Sequence, residues 1–397
     1  MLSSSPVTNT GEMVGRAFDA GFGGAVFKTI PVTGQGIKIV HPSPRMAPLH
    51  YQNKRLVGLQ NVEQISDRPM EYNMKDMAWL KKNWPEKIVI SSIMGFSNEE
   101  WGELAKRSED VGADMLELNF SCPHMTVEGS GMEVGRAFQL LEQYTETVKK
   151  NCSIPVLAKM TPNITDICEP AIYAKKGGAD GIAAINTVSG IAGIDINTHI
   201  PSPNVFGKGA ASGYSGPAVK PIGLRCVSQL AQHPDLGLPI SGIGGIETWM
   251  DVVEYMLCGS GTIQITTGVI HYGYRIVEDI LEGLSYYMEE QGIDSLESIV
   301  GKSLDRVVHT DAFDLDRQGS AFYDLDRCIG CGQCHVVCQD AGGQCLSWDN
   351  ANRRPVMDES KCVGCMICSF ICPVSSPPMI TYKEVPGKPE VIPLPSE

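Results

Sequence analysis

Eight cysteines near the C-terminus have the spacing of iron–sulfur ligands. The runs CIGCGQCHVVC and CVGCMICSFICP share the pattern C-x2-C-x2-C-x3-C, and their cysteines are, in order, Cys328, Cys331, Cys334, Cys338, Cys362, Cys365, Cys368 and Cys372. Bacterial ferredoxins bind [4Fe–4S] clusters with this run, and the fourth cysteine of each run ligates the other cluster. The spacing therefore predicts two clusters, with Cys372 joining the first three cysteines and Cys338 joining the second three.

Zinc is the alternative ligand for paired C-x2-C motifs. A zinc site takes four ligands, and two complete quartets exceed that number, so the pattern favours iron–sulfur clusters. The first run departs from the ferredoxin pattern at Gln339, where a proline is usual. Cys345 lies between the runs and outside their pattern, and we interpret it as a packing residue.

A further cysteine stands at the end of a short apolar run. In ELNFSCPHM, residues 117–125, Cys122 is followed at once by Pro123 and His124. A cysteine at the end of a strand is more often an inert packing residue than a catalytic one, so both interpretations stay open here. His124 is assigned no role. We interpret the cysteines of the helical or pre-strand segments as packing residues: Cys152, Cys168, Cys226 and Cys258.

Composition limits the class of protein. The chain has 397 residues and a formal net charge of −14, which argues against a nucleic-acid partner because phosphate binding needs a basic patch. No apolar run approaches the roughly 18 residues of a membrane span, and the N-terminal residues lack the pattern of a secretory signal. Fourteen cysteines without such a signal predict a reducing, cytoplasmic location.

The first 300 residues alternate between β-rich and helical segments. Seven β-rich runs recur, at 24–30, 87–93, 115–121, 154–160, 181–186, 238–244 and 262–268. Parallel strands covered by helices give this pattern, and MLSSS at the start makes an eighth strand. We predict an α/β fold, a TIM (β/α)8 barrel with a shortened N-terminal strand, and an open doubly wound sheet is the alternative. The short first strand implies either a missing segment or imperfect closure.

The predicted domain order follows from these patterns. The barrel covers 1–300, a linker 301–320, and a C-terminal α+β ferredoxin-like domain with two clusters 321–385. The tail, 386–397, is rich in proline and is predicted to be extended.

Polar residues gather at the carboxyl ends of the predicted strands, where TIM barrels have their active sites. Lys28 and Lys159 suit a flavin ring, because a cation stabilises its anionic reduced form. Gly244–Gly245 and Thr266–Thr267 follow strands seven and eight, whose loops hold a phosphate in many such barrels. No complete G-x-G-x-x-G occurs, so we expect electrons to arrive from another protein.

The chain resembles the flavin and iron–sulfur part of the dihydropyrimidine dehydrogenase family over essentially its whole length. The motifs that carry the resemblance are FKT (27–29), ADMLELNFSCPH (113–124), AKMTPNITD (158–166), GGADGIAAINTVSG (177–190), GYSGPAVKPI (213–222), SGIGGIET (241–248), IQITTG (263–268) and both cysteine runs.

The resemblance implies an oxidoreductase that reduces uracil or thymine at an FMN site, with electrons from NAD(P)H through an FAD and iron–sulfur partner chain. The implied FMN contacts are Ser3, Ser4, Lys28, Thr29, Lys159, Gly216, Gly244, Gly245, Thr266 and Thr267. The implied pyrimidine contacts are Asn98, Asn119, Phe120, Ser121, Asn186 and Thr187, and Cys122 is the implied proton donor. A dihydroorotate dehydrogenase and an idle electron-transfer subunit remain the alternatives.

Overall fold

Short runs rich in valine, isoleucine and alanine form the parallel strands predicted from the sequence, because strands buried on both faces read as continuous apolar segments. The computed structural model describes residues 1–32, 39, 42–51, 55–120, 137–314, 318–375 and 378–385. Two units are present, Met1–Val307 and Val308–Glu397. The division falls inside the segment 301–320 that was predicted as a linker.

The strands of the first unit are β1 (Gly24–Val26), β2 (Met46–Tyr51), β3 (Arg55–Asn61), β4 (Ile88–Ile93), β5 (Met115–Asn119), β6 (Val156–Lys159), β7 (Gly181–Ala184), β8 (Val188–Gly190), β9 (Ser212–Ser215), β10 (Ile240–Ile243) and β11 (Ser260–Gln264). Its helices are α1 (Gly11–Asp19), α2 (Met70–Asn83), α3 (Asn98–Asp110), α4 (Phe138–Asn151), α5 (Cys168–Lys176), α6 (Lys220–Gln232), α7 (Trp249–Leu257), α8 (Thr267–Tyr272) and α9 (Ile276–Gln291).

Seven strands form one parallel sheet in the order β1-β4-β5-β6-β7-β10-β11. Leu2 closes the sheet into a barrel, because it bridges both Ala25 in β1 and Ile265, the residue after β11. The Val26 N–H donates to the Leu2 carbonyl over 2.9 Å, and the Ser3 N–H donates to the Ile265 carbonyl over 3.0 Å. The predicted TIM barrel is confirmed, and the short first strand pairs with both of its neighbours.

Strand alternation divides the barrel side chains between two environments. Val26, Ile90 and Leu157 form an apolar cluster of their own, separate from the large core that includes the helices. On β5, Glu117 and Asn119 share one face of the strand, and Leu116 and Leu118 share the other. Along each strand, therefore, only every second side chain is able to face the cavity described below.

A second, antiparallel sheet was not predicted. It has the order β2-β3-β9-β8. Gln60 is fully buried and ties β3 to the other strands, since its amide donates to the Gly190 carbonyl over 3.0 Å and to the Ser212 hydroxyl over 2.7 Å. Gly58 is needed for a close approach, because a Cβ there would lie 1.9 Å from the Tyr214 hydroxyl.

Within the described part of the second unit lie two antiparallel strand pairs and two short α-helices. Its elements are β12 (Gln318–Tyr323), α10 (Gln333–Ala341), β13 (Leu346–Asp349), β14 (Arg354–Met357), α11 (Ile367–Ile371) and β15 (Ile380–Val385). β12 pairs with β15, and β13 pairs with β14. In neither unit is a described helix long and apolar enough to cross a membrane.

Candidate active site

A cavity that encloses about 1100 Å³, including the open space at its mouth, lies at the carboxyl ends of the barrel strands. Apolar walls with a few convergent polar groups are typical of cofactor and substrate sites. Thirteen of the residues that the sequence proposed for cofactor or substrate line it: Ser3, Ser4, Lys28, Thr29, Asn119, Lys159, Asn186, Thr187, Gly216, Gly244, Gly245, Thr266 and Thr267.

Each of the two cavity lysines is buried beside a carboxylate. Lys28 is 3% exposed and forms an ion pair with Glu63. Lys159 is 4% exposed, and its Nζ lies 3.1 Å from Glu117 Oε1 and 3.2 Å from Ser3 Oγ. A buried charge is tolerated when it is paired and hydrogen-bonded, and each lysine has such a carboxylate partner inside the barrel.

Gln264 extends the polar network below Lys159. Its amide nitrogen donates to Glu117 Oε2 over 3.0 Å and to Ser241 Oγ over 3.2 Å. Gln264 lines the cavity, and its buried amide oxygen has no hydrogen-bond partner among the described residues. A buried acceptor of this kind is costly unless a ligand donates to it. A flavin ring carries both donors and acceptors, so the cavity lining at the Gln264 amide fits FMN.

Hydrogen bonds fix the two asparagine amides at the strand ends. The Asn119 amide nitrogen donates to Thr29 Oγ1 over 3.0 Å, and the Asn186 amide nitrogen contacts Asn119 Oδ1 at 3.3 Å. The Thr187 N–H donates to Asn186 Oδ1 over 2.8 Å. The side-chain amides of Asn119, at the end of β5, and Asn186, after β7, therefore lie side by side with defined orientations.

Asp251 holds the glycine loop that follows β10. Gly244 and Gly245 have φ values of +132° and +69°, which glycine adopts without strain. Asp251 Oδ2 accepts the N–H groups of Glu247 and Thr248 over 2.9 and 2.8 Å, and Asp251 Oδ1 lies 2.6 Å from Lys220 Nζ. The side chain thus fixes the loop from below.

Two predicted substrate contacts do not reach the cavity. Asn98 is the first residue of α3, and its Oδ1 accepts the Thr147 hydroxyl of α4 over 3.2 Å, so the structure places Asn98 away from the described cavity lining. Phe120 is 1% exposed and packs against Trp101 with ring centroids 5.3 Å apart. The two remaining residues, Ser121 and Cys122, lie outside the described residues.

Asn61 and Glu63 line the cavity and were missed. The Asn61 amide nitrogen donates to the Gly213 carbonyl over 3.2 Å, and its Oδ1 accepts the Glu63 N–H over 3.2 Å. Asn61 is the last residue of β3 in the antiparallel sheet, and Glu63 follows it by two residues. The run LQNVEQI, in which polar residues follow a strand, was the available signal.

The sulfur atoms of the second unit divide between two small cavities. Cys328, Cys331, Cys334 and Cys372 line one of about 280 Å³. Cys338, Cys362, Cys365 and Cys368 line one of about 330 Å³, together with Cys345. The grouping is the one expected if the fourth cysteine of each run crosses to the other cluster, and the apolar linings with four thiols fit [4Fe–4S] clusters.

Sequence comparison identifies both units. Residues 1–288 match the family model of dihydroorotate dehydrogenase. The chain belongs to this family. Residues 321–379 match a 4Fe-4S dicluster domain, so the chain joins a dihydroorotate dehydrogenase-type barrel, whose family binds FMN, to a domain with two iron–sulfur clusters.

Proteins similar to this chain include dihydropyrimidine dehydrogenases. NAD-dependent dihydropyrimidine dehydrogenase subunit PreA of Escherichia coli (strain K12) is 49% identical over 89% of this chain and 85% of its own length. The chloroplastic dihydropyrimidine dehydrogenase (NADP(+)) of Arabidopsis thaliana is 39% identical over 78% of this chain and 75% of its own length. The resemblance predicted from the sequence is confirmed, and the chain is an oxidoreductase.

A dihydroorotate dehydrogenase is also similar. The catalytic subunit of dihydroorotate dehydrogenase B (NAD(+)) of Pyrococcus abyssi is 40% identical over 77% of this chain and 94% of its own length. The barrel alone therefore does not distinguish between the two substrate classes.

Burial raises the pKa values of four cysteine thiols in the barrel unit. Burial, aided by Asp166, raises the pKa of Cys168 to about 11. Burial also raises the pKa values of Cys152, Cys226 and Cys258. A thiol with a raised pKa is a poor nucleophile, which agrees with the packing role expected for all four.

Asp251→Asn is expected to destabilise the barrel at neutral pH by about 1–3 kcal/mol, as for a hydrogen bond to a charged group. Burial raises the pKa of Asp251, but hydrogen bonds from Lys220 and the loop N–H groups outweigh it and lower the pKa. Because the folded pKa lies below the unfolded one, this stabilisation is present above about pH 4 and is lost as the pH falls through the folded pKa. Urea unfolding of both proteins at pH 7 and at acid pH measures the difference, which must shrink in acid.

Proposed function

We propose that this chain reduces uracil or thymine to the 5,6-dihydro product, reversibly, as the catalytic subunit of a dihydropyrimidine dehydrogenase. The observation that carries the proposal is that one cavity is lined by Lys28 and Lys159 and also by the amides of Asn119 and Asn186. Side chains from strands far apart in sequence converge there, which packing alone does not require.

FMN is the cofactor that this cavity suits. Lys28, Lys159 and the Gln264 amide would contact its ring, and the loops at Gly216, Gly244–Gly245 and Thr266–Thr267 would hold its phosphate. When bound, FMN would supply hydride chemistry for reduction of the pyrimidine and would be able to accept electrons one at a time.

The asparagine amides orient the pyrimidine. Asn61, Asn119 and Asn186 all line the cavity, and each amide offers both a donor and an acceptor. Uracil presents two carbonyl groups and two ring N–H groups, which three amides with defined orientations complement. Fixing the ring in one orientation brings C5 and C6 to their reacting partners and lowers the entropic part of the barrier.

Cys122 supplies the proton to C5 in this proposal. It follows Asn119 by three residues. A thiol with an ordinary pKa of about 8.5 is mostly protonated at neutral pH and acts as an acid, and in the reverse direction its thiolate acts as the base.

Asn61→Ala is expected to lower kcat/KM for uracil about 10- to 100-fold, because a substrate carbonyl or N–H group loses its partner. The matched control is Asn98→Ala, since Asn98 contacts Thr147 instead of the cavity. Steady-state kinetics of both variants, with FMN content measured, checks this. Equal losses in the two variants would contradict the assignment of Asn61.

An electron-donating partner subunit completes the proposal. The E. coli relative is named as a subunit. The G-x-G-x-x-G fingerprint of dinucleotide binding does not occur in this sequence, so we propose a partner that oxidises NAD(P)H at FAD and iron–sulfur groups. The cysteine-rich composition supports a cytoplasmic location for this assembly.

Dihydroorotate oxidation is the second candidate function, favoured by the 40% identity to the Pyrococcus abyssi enzyme. The fused dicluster domain favours pyrimidine reduction. Steady-state assays of the purified chain with reduced methyl viologen as donor compare uracil, thymine and orotate. Higher kcat/KM for uracil or thymine is expected. A preference for orotate would favour the second candidate, and purified protein that contains iron and sulfide but no FMN would mean an idle barrel.

A further inference from the structure

A fifth cysteine lies in one of the two cluster cavities. Cys345 is 7% exposed and lines the cavity of Cys338, Cys362, Cys365 and Cys368. The other cavity is lined by four cysteines among the described residues. Cys345 belongs to neither C-x2-C-x2-C-x3-C run, so the ligand count does not account for it.

The Cys345 side chain contacts one of the expected ligands and shares a cavity with three others. Its Sγ lies 3.6 Å from the Sγ of Cys338, and both line the cavity together with Cys362, Cys365 and Cys368. The Cys345 backbone is fixed next to β13, because the Asp358 N–H donates to the Cys345 carbonyl over 2.8 Å. The thiol is therefore held against the Cys338 sulfur by the fold.

Chemistry decides the direction of these contacts when the cluster is bound. Cysteines that ligate iron are thiolates and have no S–H to donate. Of the two sulfurs in contact, that of Cys345 alone is then able to donate. A donor to a ligand sulfur stabilises the more negative, reduced state of a cluster and raises its reduction potential.

We propose that Cys345 is a positioning residue of the second cluster, whose thiol donates a hydrogen bond to the ligand sulfur of Cys338 and raises the potential of that cluster alone. This proposal rests on cluster binding by the dicluster domain and not on the identity of the pyrimidine. It makes the two clusters unequal, although their ligand runs have the same spacing.

The test is an EPR-monitored redox titration of the full chain carrying Cys345→Ala, with iron and acid-labile sulfide measured. The iron content is expected to stay at the wild-type value. One of the two cluster potentials is expected to fall by about 30–60 mV, a three- to tenfold change in the one-electron equilibrium at about 59 mV per factor of ten. The other cluster is the internal control and should not shift.

Cys345→Ser keeps a donor at the same position and is expected to restore a potential near that of the wild type. Unchanged potentials in Cys345→Ala, or equal shifts of both clusters, would overturn the proposal. If Cys345→Ala loses iron, the serine variant decides: full iron with a near wild-type potential supports the donor, and loss of iron in both variants contradicts it.

Discussion

Cys122→Ala is expected to lower kcat/KM for uracil reduction about 100- to 10,000-fold, the usual contribution of a general acid. The variant should retain FMN, because the residues expected to hold the cofactor are distributed over the other strand ends, among them Lys28, Lys159 and Thr267. The measurement is steady-state uracil reduction by protein with a known flavin content. Cys122→Ser should fall between the wild type and the alanine variant, since a hydroxyl is a slower acid.

Cys152→Ala is the matched control for this experiment. Cys152 is a half-buried thiol after α4 whose pKa is raised by burial, and it does not line the cavity. It should leave uracil reduction unchanged. Substantial uracil reduction by FMN-loaded Cys122→Ala would remove the proton-donor role from Cys122.

Lys159→Met is expected to destabilise the barrel by about 3–5 kcal/mol, since removal of one partner leaves a buried charge without its counter-ion. That charge is Glu117, which is fully buried. Adding Glu117→Gln removes the charge, so the double variant Lys159→Met/Glu117→Gln should recover most of the lost stability. Urea unfolding of the wild type, both single variants and the double variant gives the interaction energy as a double-mutant cycle.

FMN binding distinguishes the two roles of this ion pair. Both variants that lack Lys159 are expected to bind FMN more weakly, whatever their stability, because the cation beside the ring is gone. Additive losses of stability across the cycle would contradict the pairing of Lys159 with Glu117. Wild-type FMN affinity in the double variant would contradict the contact between Lys159 and the cofactor.

The barrel and most of its cavity were predictable because parallel strands place their carboxyl ends at one edge. Once Lys28, Asn119, Lys159 and Asn186 were each assigned to a strand end, the fold class brought them together. No contact between these residues had to be known in advance, which is why a one-dimensional pattern sufficed.

The antiparallel sheet was missed because its strands have weak local signals. β2 contains Pro48, β3 contains Gly58, and β8 has only three residues. β3 pairs with β9, in a register that joins Leu59 to Ser215, and no short sequence window contains both strands. Because this sheet was not predicted, Asn61 was not predicted as a substrate contact either.

Asn98 and Phe120 do not line the described cavity, for local reasons that the sequence does contain. Ser97 and Glu100 have the spacing of a capping box, and the Ser97 hydroxyl accepts the Glu100 N–H over 3.3 Å, so a helix starts at Asn98. Phe120 follows Asn119 directly, and successive strand residues point to opposite faces. Applying both rules would have excluded these two residues from the cavity.

A single-turnover experiment tests the central claim most directly. The FMN-loaded chain is reduced with dithionite under anaerobic conditions, freed of excess reductant and mixed with uracil, while flavin absorbance and the product are followed. The account predicts rapid reoxidation of the flavin with formation of 5,6-dihydrouracil, and little reoxidation by orotate. A flavin that stays reduced with uracil, or that orotate alone reoxidises, would contradict it.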